Sequence, residues 1–413
     1  MAPQKQQQQR SSRWPVALAA AAAAALVAYV GGGADSLGEL IGRVRVDKTR
    51  MVRWADSAPL NNGACTVDHT AQACEDVVIH ADSHTAFLAC GDSVGRSLWF
   101  PPACQRNAAG RAAVTTFRET LFKHDLETGQ TTQLQIRGLP DSYDFVTHGL
   151  DMYASPSDPT QIRLFAVRHA RDGDAISIFS HKLGTDFVEL VRDVRHPNIK
   201  NANGVAAVGE LEFYMTNDYY FHDGIGRVLE EKFGPWTWAT HVQRCDASQE
   251  NVVCQQVTGT QPGANGIAVW KDQLFVGDAK NGTLTVFRIL PGQDKVEFEH
   301  QVDLGAGADN IKVDPTTGDI TISVFPGVEN LPLYLANVAE LGRGLHVPAA
   351  ALRLTRKDGY RTPELIYYDD GGVLSFMTAM ALDATGKRLV GGAVFQTGGF
   401  AVCKLGHSKA ANA

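Results

Sequence analysis

The sequence predicts an all-β protein whose strands form a six-bladed β-propeller, and two repeating patterns lead to that prediction. A short polar cluster occurs six times, each time just before an apolar stretch that alternates like a strand. A turn-like stretch and a second apolar run follow each cluster, so the repeated unit is a hairpin. The six clusters are Glu75-Asp76, His148-Gly149, Asn203-Gly204, Asn265-Gly266, Asp309-Asn310 and Met377-Thr378.

The size of the repeat also favours a propeller. From the first cluster to the end, roughly 330 residues divided by six give about 55 per unit, near the size of a four-stranded blade. The chain has 40 glycines and few long stretches of helical periodicity, which is typical of short strands joined by tight turns. The polar clusters would then begin the innermost strands and converge on the central axis. Their spacing is uneven, so some loops must carry insertions.

Composition sets the broad class of the protein. The chain has 413 residues, of which 44% are hydrophobic and 20% are charged, enough for a large buried core. Its formal net charge is -7, and nucleic-acid binding needs a basic face. We therefore expect no nucleic-acid partner.

The N-terminal residues predict entry into the secretory pathway. Lys5, Arg10 and Arg13 precede an Ala-rich apolar stretch at residues 16–30, which is the pattern of a signal sequence. This stretch is short for a membrane span, although residues 14–34 reach that length, so a cleaved signal and an uncleaved anchor both stay open. Either one predicts an extracellular or luminal protein. We divide the chain into this region (1–34), a connecting segment (35–64) and the propeller (65–413).

Cysteine usage agrees with an oxidising compartment. No C-x-x-C pair or Cys/His cluster with zinc-finger spacing occurs, so disulfides are favoured over zinc. Cys65 and Cys403 lie just outside the first and last repeats, where one bond would close the ring. Local bonds are expected for Cys245 with Cys254 and for Cys90 with Cys104, which leaves Cys74 as the unpaired thiol. The sequon that begins at Asn281 is a candidate glycosylation site, and its Asn-Gly is equally typical of a turn.

Side-chain oxygens of the clusters form a candidate metal site. Carboxylate and amide oxygens without His or Cys suit calcium better than zinc or copper. The ligands are too far apart for an EF-hand loop, so only the fold could assemble them. Taken singly, each Asn-Gly is more typical of a hairpin turn, but their repetition in one register favours a metal site. The candidate ligands are Glu75, Asn203, Asn265, Asp309 and Asn310.

Five segments, in order, resemble the serum paraoxonase/arylesterase family. The resemblance extends from Cys65 to Leu405, includes the family's disulfide positions at Cys65 and Cys403, and is accompanied by a similar N-terminal hydrophobic segment. The segments are Cys74-Glu75-Asp76, Val146-Thr147-His148-Gly149, residues 203–221, Ala264-Asn265-Gly266-Ile267 and residues 309–315.

The resemblance implies a propeller that holds calcium in its tunnel and hydrolyses lactones, aryl esters and sometimes organophosphate triesters. The five candidate ligands match those of the family's catalytic calcium. Asp76 and the carbonyl of Leu150 match ligands of a second, structural calcium, but Gly204 stands where the family has an acid. His148 and His169 match the family's histidine pair, and His148 is expected to accept the proton of the attacking water. Asp218 matches a further acid near the pocket.

Positions at which this sequence differs from the family's pattern help to predict the class of substrate. Residues 91–113 look longer than the equivalent segment and could reshape the tunnel mouth. Phe233, Trp236 and Trp238 are expected to line an apolar entrance, although an aromatic cluster is more often part of a core. Phe325 stands where the family often has histidine. Together these features favour a hydrophobic lactone or ester as the small-molecule partner, and the N-terminal segment could bring the protein to a membrane or lipid.

Two other functions stay open from the sequence. Gly91-Asp92-Ser93-Val94-Gly95 fits the nucleophile elbow of serine hydrolases, but Pro101-Pro102 follow soon after and no βαβ pattern surrounds it. A serine hydrolase that uses Ser93 is therefore the weaker hypothesis. The chain could also be a non-catalytic binding propeller that resembles strictosidine synthase-like proteins, although it retains all five family ligands.

Overall fold

A computed structural model describes residues 42–44, 46–101, 114–327, 331–337 and 344–405. The chain divides into two compact units, residues 1–45 and residues 46–413, and the second unit contains all of the sheets. The hydrophobic segment at residues 14–34 and Cys104 lie outside the described residues. In the part that is described, no helix combines the length and the apolar character needed to cross a membrane.

In the described part of the chain there are six sheets, antiparallel except for one outer pair of strands, and they confirm the predicted six-bladed propeller. The innermost strand of each sheet contacts the innermost strand of the next, and that of the sixth sheet contacts that of the first. The six inner strands are β2 (Cys74–His80), β7 (Val146–Ala154), β11 (Ala202–Ala207), β15 (Ala264–Trp270), β19 (Gly307–Val313) and β23 (Met377–Asp383).

The remaining strands lie progressively further from the axis. The second strands are β3 (Thr85–Cys90), β8 (Gln161–His169), β12 (Glu212–Asn217), β16 (Gln273–Asp278), β20 (Ile320–Phe325) and β24 (Arg388–Ala393). The third strands are β4 (Thr120–Asp125), β9 (Ala175–Lys182), β13 (His241–Asp246), β17 (Thr283–Ile289), β21 (Ala349–Leu354) and β25 (Phe400–Lys404). The outer strands are β5 (Thr131–Gln133), β10 (Phe187–Val194), β14 (Val253–Gln256), β18 (Val296–Asp303), β22 (Glu364–Asp369) and β1 (Cys65–Asp68), with β6 (Gln135–Arg137) parallel to β10.

Helices lie in the connections between second and third strands. These are α1 (Ser93–Leu98), α2 (Gly224–Phe233) and α3 (Leu331–Ala336). Short 3₁₀ turns occur at Lys48–Val52, Asn62–Ala64, Ala81–Ser83 and Arg356–Asp358. Because inner strands begin and second strands end at the same face, these connections surround the mouth of the tunnel.

All six polar clusters lie in inner strands, as the sequence predicts, and the second apolar runs lie in the second strands. The Asn-Gly pairs at 203–204 and 265–266 are therefore inside strands, and the hairpin-turn interpretation is wrong for both. Asn281 does lie in a turn, between β16 and β17, and its side chain is half-buried.

The first strand closes the ring. β1 forms the outer edge of the sixth sheet, where it pairs with β25 and Cys65 lies directly opposite Cys403. A disulfide joins these two cysteines across 338 residues of sequence. The predicted bond between Cys245 and Cys254 is also present. The expected Cys90–Cys104 bond is wrong, because Cys90 is bonded to Cys74, its register partner in the pair of β2 and β3.

Residues that precede β1 pack on the outer part of the propeller. The indole N–H of Trp54 donates to the carbonyl of Leu304 at 2.7 Å, and Met51 is fully buried. Leu60 forms an antiparallel bridge with Tyr368 in β22. Much of the connecting segment thus belongs to the same compact unit as the sheets.

Loss of the ring-closing disulfide is expected to destabilise the protein more than loss of a local one. In the chain-entropy model, a bond that closes so long a loop stabilises by roughly 6 kcal/mol, against about 3 kcal/mol for a loop of about ten residues. We expect Cys65→Ser/Cys403→Ser to lower the free energy of unfolding more than Cys245→Ser/Cys254→Ser. Urea unfolding of both double variants measures the difference, and equal losses would contradict a closing role for β1.

Candidate active site in the central tunnel

Each inner strand has a β-bulge at its polar cluster. Between Thr147 and Leu150, for example, β7 holds one more residue than the facing part of β8, and the same excess occurs in the other five inner strands. A bulge redirects side chains and is common next to active sites. The polar side chains are thus directed by a repeated backbone irregularity, which the sequence pattern did not predict.

Glycine at two of these bulges allows neighbouring inner strands to approach closely. A Cβ atom added at Gly149 would lie 2.3 Å from the carbonyl oxygen of Asn203. One added at Gly266 would lie 2.2 Å from the carbonyl oxygen of Asp309. Any other residue would push these strands apart and widen the ring of polar groups.

The five candidate ligands come together at the axis. Glu75, Asn203, Asp309 and Asn310 are at most 4% exposed, and Asn265 is half-buried. Four of the five line a cavity of about 160 Å³, together with His148 and Asp218. Asn310 lies behind this layer, where its amide donates to Glu75 Oε1 at 2.7 Å.

Unsatisfied oxygens show that this cluster fits a cation. Within the described ranges, no donor reaches Glu75 Oε2, Asn203 Oδ1 or Asn265 Oδ1, although all three atoms are buried. Buried oxygens without a hydrogen bond are costly, and a hard cation satisfies several at once. Among the residues the structure describes, no group of three or more His, Cys, Asp or Glu side chains is arranged to hold a metal. The present set has only two acids, and its other members are amides.

The electrostatics of Asp309 indicate an excess of negative charge around this residue. Burial raises the pKa of Asp309 well above its usual value, and the nearby carboxylates of Glu75, Asp76 and Asp218 raise it further. Burial also raises the pKa of Asp218 to about 6. A bound cation would relieve this repulsion and favour the ionised forms.

The two predicted histidines form a chain of contacts that leads away from the cavity. His148 Nε2 lies 3.3 Å from Glu75 Oε1, and its Nδ1 lies 3.0 Å from Nε2 of His169. His169 Nδ1 lies 2.9 Å from Asp174, which also lies 3.2 Å from Nε2 of the partly exposed His222. Asp174 and His222 were not found from the sequence, because they lie in separate connections after β8 and β12.

The pKa values of the two imidazoles shift in opposite directions. Burial lowers the pKa of His148, but the charge of Glu75 and the contact with it outweigh burial, so the net shift is upward. The pKa of His169 shifts downward because burial outweighs the attraction of Asp174. The Asp174 carboxyl is buried, yet the two histidines beside it hold its pKa well below the usual range. Asp174 is thus an anion that can orient His169 and stabilise its protonated form.

Aromatic and aliphatic side chains form the wall above the polar floor. Phe325, which the sequence comparison with the family singled out, stacks on Phe376 with ring centroids 4.8 Å apart. Phe100 packs edge-on to His148 at 5.0 Å and lies within the long segment 91–113. Tyr219 and Val394 complete this wall, and neither has a motif that would reveal it.

Helix α1 and the buried Arg96 hold Phe100 in place. Arg96 donates to both oxygens of Glu119, at 2.7 and 2.8 Å, and to the carbonyls of Thr147 and Val394. These contacts join α1 to the first, second and sixth sheets. Ser93, the first residue of α1, is buried and is not among the described residues that line the cavity.

The aromatic residues expected at the entrance lie outside the cavity wall. Phe233, on α2, is 43% exposed, and Trp238 is 40% exposed. Trp236 is buried and stacks on Trp238 with centroids 4.9 Å apart. All three aromatic residues lie in the connection between β12 and β13, as Tyr219 does, but of these four only Tyr219 lines the cavity.

The groups that match a second calcium site contact a lysine. Lys312, on β19, donates from Nζ to Asp76 Oδ2 at 2.7 Å and to the carbonyl oxygen of Leu150 at 2.8 Å. The carboxyl of Asp76 is buried, and burial raises its pKa to about 7 although Lys312 opposes this shift.

A six-bladed propeller with an oxygen-rich tunnel floor, a histidine pair and an apolar wall is the architecture of a propeller hydrolase. The family described as Arylesterase matches residues 106–403, more than half of the chain. The protein therefore belongs to the Arylesterase family and is a hydrolase of that class.

Individual relatives agree with this family. Serum paraoxonase/lactonase 3 of Homo sapiens is 26% identical over 376 residues, covering 89% of this chain and 96% of that protein. Serum paraoxonase/arylesterase 2 of Rattus norvegicus is 25% identical over 272 residues, covering 65% and 72% of the two chains. Among solved structures, the Malassezia sympodialis allergen Mala s 1 shares the fold, with a TM-score of 0.50 and 12% identity over 84% of this chain and 96% of that one.

Substitution of Gly266 tests the close approach of the inner strands. We expect Gly266→Ala to lower the free energy of unfolding by about 2–3 kcal/mol, because the new Cβ meets the backbone of Asp309. Gly259→Ala is the matched control, since nothing lies within 4 Å of a Cβ there, and its effect should stay below about 0.5 kcal/mol. Thermal and urea unfolding compare the two variants, and equal stability would show that the strands can move apart freely.

Proposed function

We propose that this protein is a calcium-dependent hydrolase of lactones and aryl esters. The observation that supports the proposal most is the set of buried, unsatisfied oxygens of Glu75, Asn203 and Asn265 on the floor of an apolar cavity. Relatives named paraoxonase/arylesterase 2 and paraoxonase/lactonase 3 favour esters and lactones as substrates.

The tunnel floor would hold one calcium ion. Calcium prefers six to eight oxygen ligands, which carboxylates and amides supply together with water or substrate. Bound there, the ion would polarise the substrate's carbonyl or phosphoryl oxygen and offset its developing negative charge. The residues that would hold it are Glu75, Asn203, Asn265, Asp309 and Asn310.

His148 is the residue best placed to take a proton from attacking water. Its Nε2 faces the cavity beside Glu75, and its Nδ1 faces His169. With a proton on Nδ1 of both imidazoles, the N–H of His148 donates to His169, the N–H of His169 lies beside the Asp174 carboxylate, and Nε2 of His148 can accept a proton. Asp174 then acts as a positioning residue that stabilises positive charge on His169.

The cavity wall favours a substrate with an apolar portion. Phe100, Phe325, Phe376 and Val394 are among the residues that line the cavity around the floor. The cavity volume of about 160 Å³ suits a small ring or aryl group with its carbonyl directed at the floor. We therefore favour hydrophobic lactones over small charged esters.

We also propose that the protein works in the secretory pathway or outside the cell. Three disulfides among the described residues support an oxidising compartment, where such bonds persist. The hydrophobic segment at residues 14–34 would direct the chain there and, if retained, would attach it to a membrane. Glycosylation of Asn281 is compatible with this compartment and stays a prediction.

Chelation of calcium tests the proposed function. We expect residues 35–413 to hydrolyse γ- and δ-lactones and phenyl acetate with calcium, to lose activity with chelator, and to regain it when calcium is restored. Asn265→Ala should weaken calcium binding by about tenfold or more, because one ligand is lost. Asn251→Ala, at an exposed position, is the control. Activity that survives chelation would contradict the proposal and favour Ser93, whereas a folded, calcium-stabilised protein without turnover would favour a binding propeller.

The histidine chain is tested by separating effects on kcat from effects on KM. We expect His148→Gln to lower kcat by about 10²-fold or more, since general base catalysis contributes that much. Asp174→Asn should lower kcat by about 10-fold to 100-fold with little change in KM, because the residue acts through His169 and does not touch substrate. The exposed Asp172→Asn is the matched control. An unchanged kcat in Asp174→Asn would rule out its positioning role.

A further inference from the structure

Below the candidate calcium ligands, which we call the upper layer, the tunnel has a lower layer around Lys312 that contains a positive charge of the protein itself. Lys312 lies on inner strand β19, and its side chain is 8% exposed. Its ammonium group donates to Asp76 on β2 and to the carbonyl of Leu150 on β7. One lysine therefore joins inner strands of the fifth, first and second sheets below the layer of candidate ligands.

Every oxygen of Asp76 has a donor in this arrangement. Oδ1 accepts from the backbone N–H of Val77 at 2.8 Å, and Oδ2 accepts from the N–H of Leu150 at 2.7 Å as well as from Lys312. The upper layer differs, because one oxygen each of Glu75, Asn203 and Asn265 has no hydrogen-bond donor there among the described residues. Both oxygens of Asp76 in the lower layer thus have donors, whereas three candidate ligand atoms of the upper layer have none.

We propose that the Lys312 ammonium takes the place of the second, structural cation, so that the tunnel holds one calcium ion and one covalently attached cation. The family resemblance implies calcium between Asp76 and the carbonyl of Leu150, and Lys312 contacts both groups. A divalent ion beside the ammonium would have to displace it or bear strong like-charge repulsion in a buried site.

Residues near Lys312 also favour its ammonium group over a second calcium ion. Gly204 stands where the family has an acid, and a Cβ there would lie only 3.0 Å from the carbonyl oxygen of Asn265 and from the side chain of Ile267. The chain thus lacks one anionic ligand and has little room for it. Asp151, the other carboxylate near Lys312, accepts from the backbone N–H of Ala207 at 2.8 Å, which leaves Asp76 as the direct anionic partner.

A tethered cation cannot be removed by a chelator. The contacts that join the three sheets in the lower layer should therefore persist when calcium is withdrawn, and only the upper layer should respond. This inference concerns the lower layer and is separate from the hydrolytic reaction of the upper layer.

Calcium content tests the inference directly. The full-length protein is dialysed against radiolabelled calcium, and bound metal is counted per chain. We expect one ion per chain in the unsubstituted protein and none in Asp309→Asn. Two ions per chain would overturn the inference. No bound ion would contradict the calcium-dependent function, while still agreeing with a lower layer that takes no metal, so the two failures are distinguishable.

A double-mutant cycle tests the charge pair without reference to activity. We expect Lys312→Met and Asp76→Asn each to lower the melting temperature in the presence of chelator, since each leaves a buried partner without its counter-charge. The double variant should recover at least half of the loss of the worse single variant, and the exposed Lys357→Met should have no effect. Additive losses would overturn the pairing. If Lys312→Met does not fold, the calcium content of the unsubstituted protein still decides between one ion and two.

Discussion

Crowding at the axis determines the rest of this structure. Six inner strands meet there, and at Gly149 and Gly266 the backbone of one strand contacts the backbone of the next with no room for a Cβ. Hydrogen bonds complete the ring, since Thr378 donates to the carbonyl of Glu75 across the junction of the sixth and first sheets. The bulges agree with the same constraint, because an extra residue in each inner strand lets a polar side chain enter the tunnel while the second and third strands keep regular pairing.

The tunnel has two layers, which differ in how the charge of their buried carboxylates is balanced. In the lower layer, Asp76 is neutralised by Lys312 and its oxygens are satisfied. In the upper layer, acids and amides converge, and burial together with the neighbouring carboxylates raises the pKa of Asp309. A protein that keeps such a cost in its core usually does so at a functional site. The apolar wall above excludes water and so strengthens the electrostatic effect of any ion held there.

Much of the blade architecture could be predicted from the sequence because it depends on local patterns. Each polar cluster adjoins its own strand, and the repeat of hairpins gave both the number of blades and the direction of the cluster residues. The role of Lys312 could not be predicted, because a lysine in an apolar strand is usually a surface residue and its partners are 162 and 236 residues away in sequence. The roles of Asp174 and Phe100 could not be predicted for a similar reason, since both residues reach the site from connections whose paths depend on tertiary contacts. The Cys74–Cys90 bond was missed because it depends on strand register rather than on loop spacing. The metal itself stays a prediction.

The sixth sheet combines the first strand of the propeller with its last three, and this affects when the sheet can form during synthesis of the chain. Its outer strand is among the first parts of the propeller to be made, and its other three strands are the last. With 338 residues between Cys65 and Cys403, a ribosome that adds about 5 to 20 residues per second needs roughly 20 to 70 s to deliver the partner of β1. During that interval β1 is an unpaired strand edge and Cys65 is a thiol without its partner. Five blades can assemble as they emerge, but the axis, and with it the site, becomes complete only when the C-terminal strands arrive.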